Sequence, residues 1–230
     1  GIVSNIFVTG NTVIDALFMM VSDSYIFKEA ILNDLCKNKD EKLILLTAHR
    51  RENLGDPLVN ICKAVKRIVE ENSDVRVVYP MHLNPAVRDA VCPILCGIDR
   101  IHLIEPLEVQ DMHNLINRCY MVMTDSGGVQ EEAPALGKPV MVLRTETERP
   151  EVCQAGKAVL AGIKESDIYA YANTIINNAA YYEGMRKALN PYGDGRAAER
   201  IVAAIKYWAG LSCERPGIFT QQMEGNTHNE

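Results

Sequence analysis

The sequence predicts an α/β protein with a Rossmann-like parallel sheet and helices on both faces. Short β-type segments alternate with helical patterns, which is typical of parallel strands joined by crossover helices. Most of the predicted strands are continuous apolar runs, as expected of strands buried on both faces. The connections are short, as in other α/β units. The predicted strands are Asn5–Val8, Lys42–Thr47, Val75–Tyr79, Ile101–Ile104, Met121–Thr124, Val140–Leu143 and Ala158–Leu160.

Helical patterns lie between these strands. The clearest is Pro57–Asn72, where Leu58, Ile61, Val65 and Ile68 recur on one face, the spacing of an amphipathic helix. The other predicted helices are Asn84–Cys92, Glu108–Cys119, Val129–Leu136, Ser166–Asn178 and Arg196–Trp208.

Composition limits the partners that we expect. The 230 residues contain 24 Lys and Arg against 30 Asp and Glu, so the net charge of −6 gives no general attraction to nucleic acid or to an anionic membrane. The most apolar early stretch, Thr12 to Val21, is too short to cross a bilayer. Seven cysteines without a secretory signal predict reduced thiols in a cytoplasmic protein. Cys92 and Cys96 lack a second matching pair, so we expect no metal site.

The domain organisation follows from where the polar stretches lie. We expect one Rossmann-like domain in residues 1–211, with a lead-in strand and helices in residues 1–41, and a polar, disordered tail in residues 212–230. Ligands of open α/β folds sit outside the carboxyl ends of the strands, often in a cleft shared with a second domain. We expect that second wall to lie outside this chain, either in a longer parent protein or in a separate amino-terminal domain chain.

The sharpest local signal follows the predicted strand Met121–Thr124. There Asp125-Ser126-Gly127-Gly128 leads into a helix. Adjacent glycines let the backbone approach a ligand, and the helix start offers free N–H groups and a positive dipole end. This predicts a phosphate cradle that includes the Ser126 hydroxyl, with Glu131 or Glu132 accepting hydrogen bonds from a ribose. The alternative is an ordinary strand-to-helix turn.

A second polar run, Thr47-Ala48-His49-Arg50-Arg51-Glu52-Asn53, follows the strand Lys42–Thr47. His49 has the chemistry to bind phosphate when charged or to transfer a proton when neutral. The two arginines offer bidentate contacts to a phosphate or a carboxylate. The alternative is a solvated loop with Arg–Glu pairs of little energetic weight.

Two further polar runs, Tyr79–Pro85 with His82 and Arg144–Glu151 with Arg149, also follow strands. Taken singly, His82 is as easily a histidine satisfied by neighbouring backbone, and Arg144–Glu151 a charged surface loop. Four of the predicted strands nevertheless place phosphate-competent residues at one end of one sheet, which favours a binding site. His102 and His113 lie on a strand and an amphipathic helix, so we interpret both as structural.

Several motifs in order resemble those of the non-hydrolysing UDP-N-acetylglucosamine 2-epimerases. The resemblance runs from Phe7 to about Trp208. Its motifs are Phe7–Leu17, Thr47–Asn53, His82–Pro85, Asp125–Glu132, Thr147–Glu151 and Asn190–Gly195.

This resemblance implies two Rossmann-like domains, as in B-type glycosyltransferases (GT-B), with UDP-N-acetylglucosamine between them. It implies elimination of UDP to a 2-acetamidoglucal and re-addition to give UDP-N-acetylmannosamine, without a metal or nicotinamide cofactor. It assigns UDP phosphates and ribose to Ser126, Gly127, Gly128 and Glu132, a nucleotide contact to Arg149, and a diphosphate or catalytic role to His49. Arg50 and His82 resemble positions that contact a second, allosteric UDP-N-acetylglucosamine.

Other interpretations remain open at this point. The chain also fits half of a UDP-sugar glycosyltransferase or of a hydrolysing epimerase, which share the fold. A non-catalytic domain that binds UDP-sugars is a further alternative, because the resemblance places the acidic residues that act at the sugar C2 in the other domain. The resemblance also predicts a homo-oligomer.

Overall fold

A computed structural model describes residues 5–38 and 40–220. Six strands lie in this part of the chain: β1 Lys42–Thr47, β2 Val75–Pro80, β3 Ile101–Ile104, β4 Met121–Thr124, β5 Val140–Val142 and β6 Ala158–Leu160. The helices there are α1 Thr12–Met20, α2 Ala30–Leu35, α3 Asp56–Glu71, α4 Pro85–Leu95, α5 Val109–Arg118, α6 Val129–Ala135, α7 Pro150–Gln154, α8 Glu165–Asn177, α9 Ala179–Lys187 and α10 Ala197–Trp208, with a 3-10 turn at Arg51–Asn53.

The six strands form one parallel sheet in the order β3-β2-β1-β4-β5-β6. The chain therefore builds outward from β1 to one edge, returns, and builds outward from β4 to the other. Thr47 at the end of β1 pairs with Thr124 at the end of β4. The loops after these two strands diverge to opposite faces, and in open α/β sheets this point of divergence is where ligands bind.

Successive side chains of a strand point to opposite faces of the sheet. Helices cover both faces, so the side chains on each face are buried. Ile44 and Leu46 of β1 pack into a core with α3, α4 and α8. Leu43 and Leu45 of the same strand pack into a second core with α5, α6 and α7. The predicted fold class, a parallel sheet with helices on both faces, is confirmed.

The predicted strand Asn5–Val8 is wrong. Residues 5–11 form no helix or strand, and Ile6 and Val8 are about half exposed. Among residues 5–38 and 40–220, the Val8 carbonyl accepts a hydrogen bond only from the N–H of Phe219, and no strand of these residues pairs with the apolar run. The lead-in region instead supplies α1 and α2, and α1 packs against α5, α6 and α10.

The carboxyl-terminal stretch is partly packed on the domain. Residues 212–220 contain no helix or strand, but Pro216 is buried. The part of the predicted tail in residues 221–230 lies outside the described residues. No helix in the described part of the chain is both long and apolar enough to cross a membrane.

Candidate functional site

The buried carboxylate of Asp125 organises the point where β1 and β4 diverge. Its Oδ2 atom accepts hydrogen bonds from the backbone N–H of His49 at 2.9 Å and of Arg50 at 2.8 Å, and from the Asn53 side chain at 3.0 Å. Asn53 also donates to the carbonyl of Leu143 at 3.0 Å. One side chain after β4 therefore fixes the whole loop after β1.

A layer of hydroxyl groups supports this arrangement from the sheet. The hydroxyls of Thr47 and Thr124 lie 2.6 Å apart, and Thr124 Oγ1 also accepts from the N–H of Ser126 at 2.9 Å. The Tyr79 hydroxyl donates to the carbonyl of Ala48. These groups are buried, and buried polar groups with all their partners make a rigid structure.

The Gly-Gly turn leaves its backbone donors open. The N–H groups of Gly127, Gly128 and Val129 have no acceptor among the residues that the structure describes. Neither glycine has a positive φ, and a Cβ atom on either would make only ordinary van der Waals contacts, so the two glycines leave open space beside the turn. A Cβ atom on Gly127 would lie 3.5 Å from Nη2 of Arg50, so the Arg50 guanidinium lies beside the same turn.

His49 and His82 stand side by side next to this turn. Their rings are stacked with centroids 5.8 Å apart and planes 5° apart. The Nδ1 atom of His82 accepts from the N–H of Asn84 at 3.1 Å, and Nδ1 of His49 lies 3.5 Å from Asp125 Oδ1. The two histidines, predicted from separate motifs, thus belong to one surface.

Both histidines border a cavity of about 210 Å³. Its lining combines polar groups near the Gly-Gly turn with an apolar floor: Thr47, His49, Pro80, His82, Pro106, Leu107, Met112, Ser126 and Val129. Larger cavities lie elsewhere, including one of about 690 Å³ at the amino end of the sheet. The open N–H donors, and not cavity size, distinguish the smaller one as a site for an anionic ligand with an apolar part.

The two acidic residues at the start of α6 differ in their contacts. Glu131 is buried, and its carboxylate accepts from the Asn11 amide at 2.6 Å and from Nε of Arg149. The Oε1 atom of Glu132 lies 3.5 Å from Nε2 of the buried His113 and close to Gly128. Of the two predicted ribose acceptors, Glu131 is thus bound by two side-chain donors, and Glu132 is the one beside the Gly-Gly turn.

The loop after β5 lies against the polar loops that follow the other strands. Arg144 is buried and contacts Glu52 at 2.8 Å and Glu148 at 3.1 Å, and Arg50 lies 3.6 Å from Glu148. Thr147 donates to the side chain of Gln130 at 2.6 Å. All four polar loops predicted from the sequence therefore meet at the carboxyl end of the sheet.

Hydrogen bonds to carboxylates stabilise the charged form of the two arginines in this loop. The hydrogen bond that Arg149 donates to Glu131 raises the pKa of Arg149, and the hydrogen bonds that Arg144 donates to Glu148 raise the pKa of Arg144. The Arg144 guanidinium contacts two carboxylates, those of Glu52 and Glu148. Arg149 uses Nε on Glu131 and Nη1 on the Glu148 carbonyl at 3.2 Å, which leaves Nη2 without a partner among the described residues.

Sequence reasoning missed three residues that shape the site. Asp125 was recognised only as part of a motif, and no role was given to Asn53 or to Asn11. A signal did exist for Asp125, because a carboxylate beside a Gly-Gly turn would repel phosphate unless it pointed inward. His102 is half-buried on β3, where burial lowers its pKa, and His113 is buried on α5; neither lies among the loop residues. No cluster of three or more metal-ligating side chains occurs in the described residues.

The chain is similar to known proteins in sequence and in fold. The family model described as UDP-N-acetylglucosamine 2-epimerase matches residues 2–206. Bacillus subtilis UDP-N-acetylglucosamine 2-epimerase is 52% identical over 216 residues, which cover 94% of this chain and 56% of the relative. The structure of S. aureus MnaA with UDP has a TM-score of 0.86 at 49% identity and covers 93% of this chain and 57% of its own. The Neisseria meningitidis UDP-GlcNAc 2-epimerase bound to UDP-GlcNAc has a TM-score of 0.77 at 39% identity, covering 86% and 54%.

A more distant structure shows the fold alone. The carboxyl-terminal domain of a group 1 glycosyltransferase from Francisella tularensis has a TM-score of 0.53 at 13% identity and covers 76% of this chain and 93% of that domain. The predicted relation to one half of a GT-B fold is thereby confirmed. The chain spans about half the length of the curated relatives that it matches. On the family match over most of its length, this chain belongs to the UDP-N-acetylglucosamine 2-epimerase family of isomerases.

Proposed function

We propose that this chain is the nucleotide-binding half of a UDP-N-acetylglucosamine 2-epimerase and binds UDP at the carboxyl ends of β1 and β4. The observation that carries the proposal is the open Gly-Gly turn beside a loop locked by Asp125, at the point where the sheet diverges. The choice of ligand is supported by two relatives, whose structures hold UDP and UDP-GlcNAc.

The diphosphate would lie against the Gly-Gly turn. The open N–H groups of Gly127, Gly128 and Val129 and the Ser126 hydroxyl offer donors there, and donors at a helix start favour negative charge. The free Nη2 of Arg149 would add a charge-assisted hydrogen bond. This arrangement needs no metal ion to offset the diphosphate charge.

The nucleoside would extend into the small cavity beside the turn. The floor formed by Pro106, Leu107, Met112 and Val129 is apolar and suits one face of a pyrimidine ring. Glu132 would accept hydrogen bonds from the ribose hydroxyls.

In the epimerase reaction, a base removes the proton from the sugar C2 while the bond between C1 and the diphosphate oxygen breaks. UDP leaves with the bonding electron pair, and its re-addition to the 2-acetamidoglucal, with a proton returned to the other face of C2, gives UDP-N-acetylmannosamine. Negative charge grows on the diphosphate as it departs, and fixed donors aimed at it lower the barrier. His49 would donate a proton or a hydrogen bond to this leaving group.

Arg50 and His82 would contact a second substrate molecule. Arg50 lies close to the Gly-Gly turn and His82 lies close to His49. A ligand bound by Arg50 and His82 would therefore touch a ligand bound at the turn, which supports this role. The groups that move the C2 proton would come from the other domain of the epimerase.

Calorimetric titration with UDP tests the proposal. We expect saturable binding by the wild type and loss of binding by Gly127→Val, because the added side chain fills the cradle without backbone strain. Gly184→Val is the matched control, since Gly184 is exposed on α9 with open space around its Cβ position. Equal UDP affinities of the wild type and Gly127→Val would show that UDP does not bind at the Gly-Gly turn.

An assay for UDP-N-acetylmannosamine separates binding from turnover. We expect the chain alone to bind UDP-N-acetylglucosamine without converting it. Turnover would show that the groups acting at C2 lie within these 230 residues.

A further inference from the structure

Two sequence motifs distant from the cradle meet beside it. The backbone of Gly10 and Asn11 lies against Tyr192 and Gly193, and the N–H of Asn11 donates to the Tyr192 carbonyl at 2.8 Å. A Cβ atom on Gly193 would lie 3.4 Å from both the nitrogen and the oxygen of Asn11. These four residues, which we call the clasp, can approach this closely because two of them are glycines.

The clasp holds the backbone of Asn11, and two neighbours outside the clasp bind its side chain. Asn11 Oδ1 accepts from the N–H of Val13 at 3.0 Å, which caps α1. Its Nδ2 donates to Oε2 of Glu131 at 2.6 Å. Asn11 has no remaining freedom to rotate without breaking one of these bonds, so it holds the Glu131 carboxylate in one orientation.

Glu131 passes this constraint to Arg149. Its other oxygen, Oε1, accepts from Nε of Arg149. The Glu131 side chain is about nine-tenths buried, whereas that of Arg149 is one-third exposed. The Nε atom of the guanidinium is therefore bound by a fixed carboxylate and Nη1 by the Glu148 carbonyl, while Nη2 donates to no side chain or carbonyl in the described part of the chain.

The geometry points to Asn11 and Glu131 as positioning residues that hold Arg149 over the diphosphate site, so that the clasp sets the affinity for the phosphates of the ligand. This inference rests on the proposed function, because it assigns Arg149 to the diphosphate of UDP. It gives a role to the motifs Gly10-Asn11 and Tyr192-Gly193, which lie outside the cradle.

The opposite effect is also physically reasonable. Glu131 carries a negative charge next to the guanidinium and would weaken its attraction for phosphate if charge balance dominated. Orientation dominates here because the arginine pays an entropic cost when it must be ordered by the ligand itself. Removal of the carboxylate must therefore weaken UDP binding and not strengthen it.

The test compares UDP with uridine in calorimetric titrations of the 230-residue chain. Glu131→Gln cannot accept from both Asn11 and Arg149, because one of its two terminal atoms is a donor. We expect this variant to bind UDP roughly tenfold more weakly and uridine with unchanged affinity. A merely structural role would weaken both ligands alike.

A double-mutant cycle with Arg149→Ala sharpens the result. Since Glu131 acts through Arg149, the variant with both substitutions should bind UDP no more weakly than Arg149→Ala alone. Asn11→Ala, which leaves Glu131 in place, should weaken UDP binding by roughly threefold and keeps the test open if Glu131→Gln does not fold. Glu183→Gln breaks an exposed pair with Arg186 on α9 and is the matched control.

The outcomes separate this inference from the proposed function. If the wild type binds UDP and Arg149→Ala weakens it, the proposed function stands. Unchanged or tighter UDP binding by Glu131→Gln, or additive losses in the cycle, would then overturn the positioning role alone. Failure of the wild type to bind UDP would overturn both.

Discussion

The two ends of the parallel sheet hold their charged side chains differently. At the carboxyl end, the fully buried Asp125 accepts three N–H donors from the loop after β1. At the amino end, Lys42 pairs with Asp74 and Arg76 pairs with Glu41, all with partly exposed side chains. Water can replace a partner at the amino end but not around Asp125.

This difference indicates which end is built to a fixed geometry. Burial of a carboxylate is costly unless donors surround it, so the carboxyl end keeps its loops in place through a network that fails as a unit. Surface ion pairs stabilise a fold by little. A preorganised loop is what a binding site for a diphosphate requires.

Substitution of Asp125 should give the largest loss of stability. Asp125→Ala leaves three donors without an acceptor, and we expect the free energy of unfolding to fall by about 3 kcal/mol or more. Urea denaturation measures this loss.

Asp125→Asn is the control for that loss. Its amide oxygen can take the place of Oδ2, and its amide nitrogen the place of Oδ1, which lies 3.5 Å from His49 Nδ1 and accepts no hydrogen bond from the described residues. We expect a loss below about 1.5 kcal/mol. Equal losses for the two variants would mean that the negative charge, and not the acceptor geometry, holds the loop.

Lys157 should give the next largest effect, through pH. It is buried just before β6, donates to the carbonyl of Arg186 at 2.6 Å, and burial lowers its pKa to about 8. Between that value and the usual lysine pKa of about 10.4, the unfolded chain binds more protons, so the Lys157 contribution to stability rises with pH.

A comparison with Lys157→Met isolates this contribution. From pH 7 to pH 9.5, the wild type should gain about 2 kcal/mol in unfolding free energy relative to the variant. Urea denaturation at the two pH values measures the difference. A constant difference would show that Lys157 stays charged with water as a partner.

The ion pairs of the amino end should give the smallest effect. The hydrogen bond from Lys42 lowers the pKa of Asp74, but the Asp74 side chain is 43% exposed. Asp74→Asn should cost less than about 1 kcal/mol, as measured by thermal unfolding, and salt should reduce the cost further. A loss as large as that of Asp125→Ala would remove the contrast between the two ends.

The sequence predicted the sheet well because its strands are buried on both faces and so read as apolar runs. The same rule produced the wrong strand at Asn5–Val8. An apolar run shows only that a segment can pair, and no strand in the part of the chain that the structure describes lies beside Ile6 and Val8. Strand pairing is a long-range property that a local pattern does not contain.

The site was predicted as a set of loops but not as a network. Polar residues after four strands indicated one common edge, and the structure brings those loops together. The contact of Asn11 with Glu131 joins residues 120 positions apart, and no spacing rule indicates it. Likewise, the sequence left Glu131 and Glu132 as equal candidates, and only the packing around α6 separates them.

A crystal structure of this chain grown with UDP tests the central claim most directly. We expect the diphosphate within hydrogen-bond distance of the N–H groups of Gly127, Gly128 and Val129, with the Asp125 contacts to the loop after β1 unchanged. UDP bound at the amino end of the sheet, or a loop after β1 that rearranges around the ligand, would contradict a preorganised site at the carboxyl end.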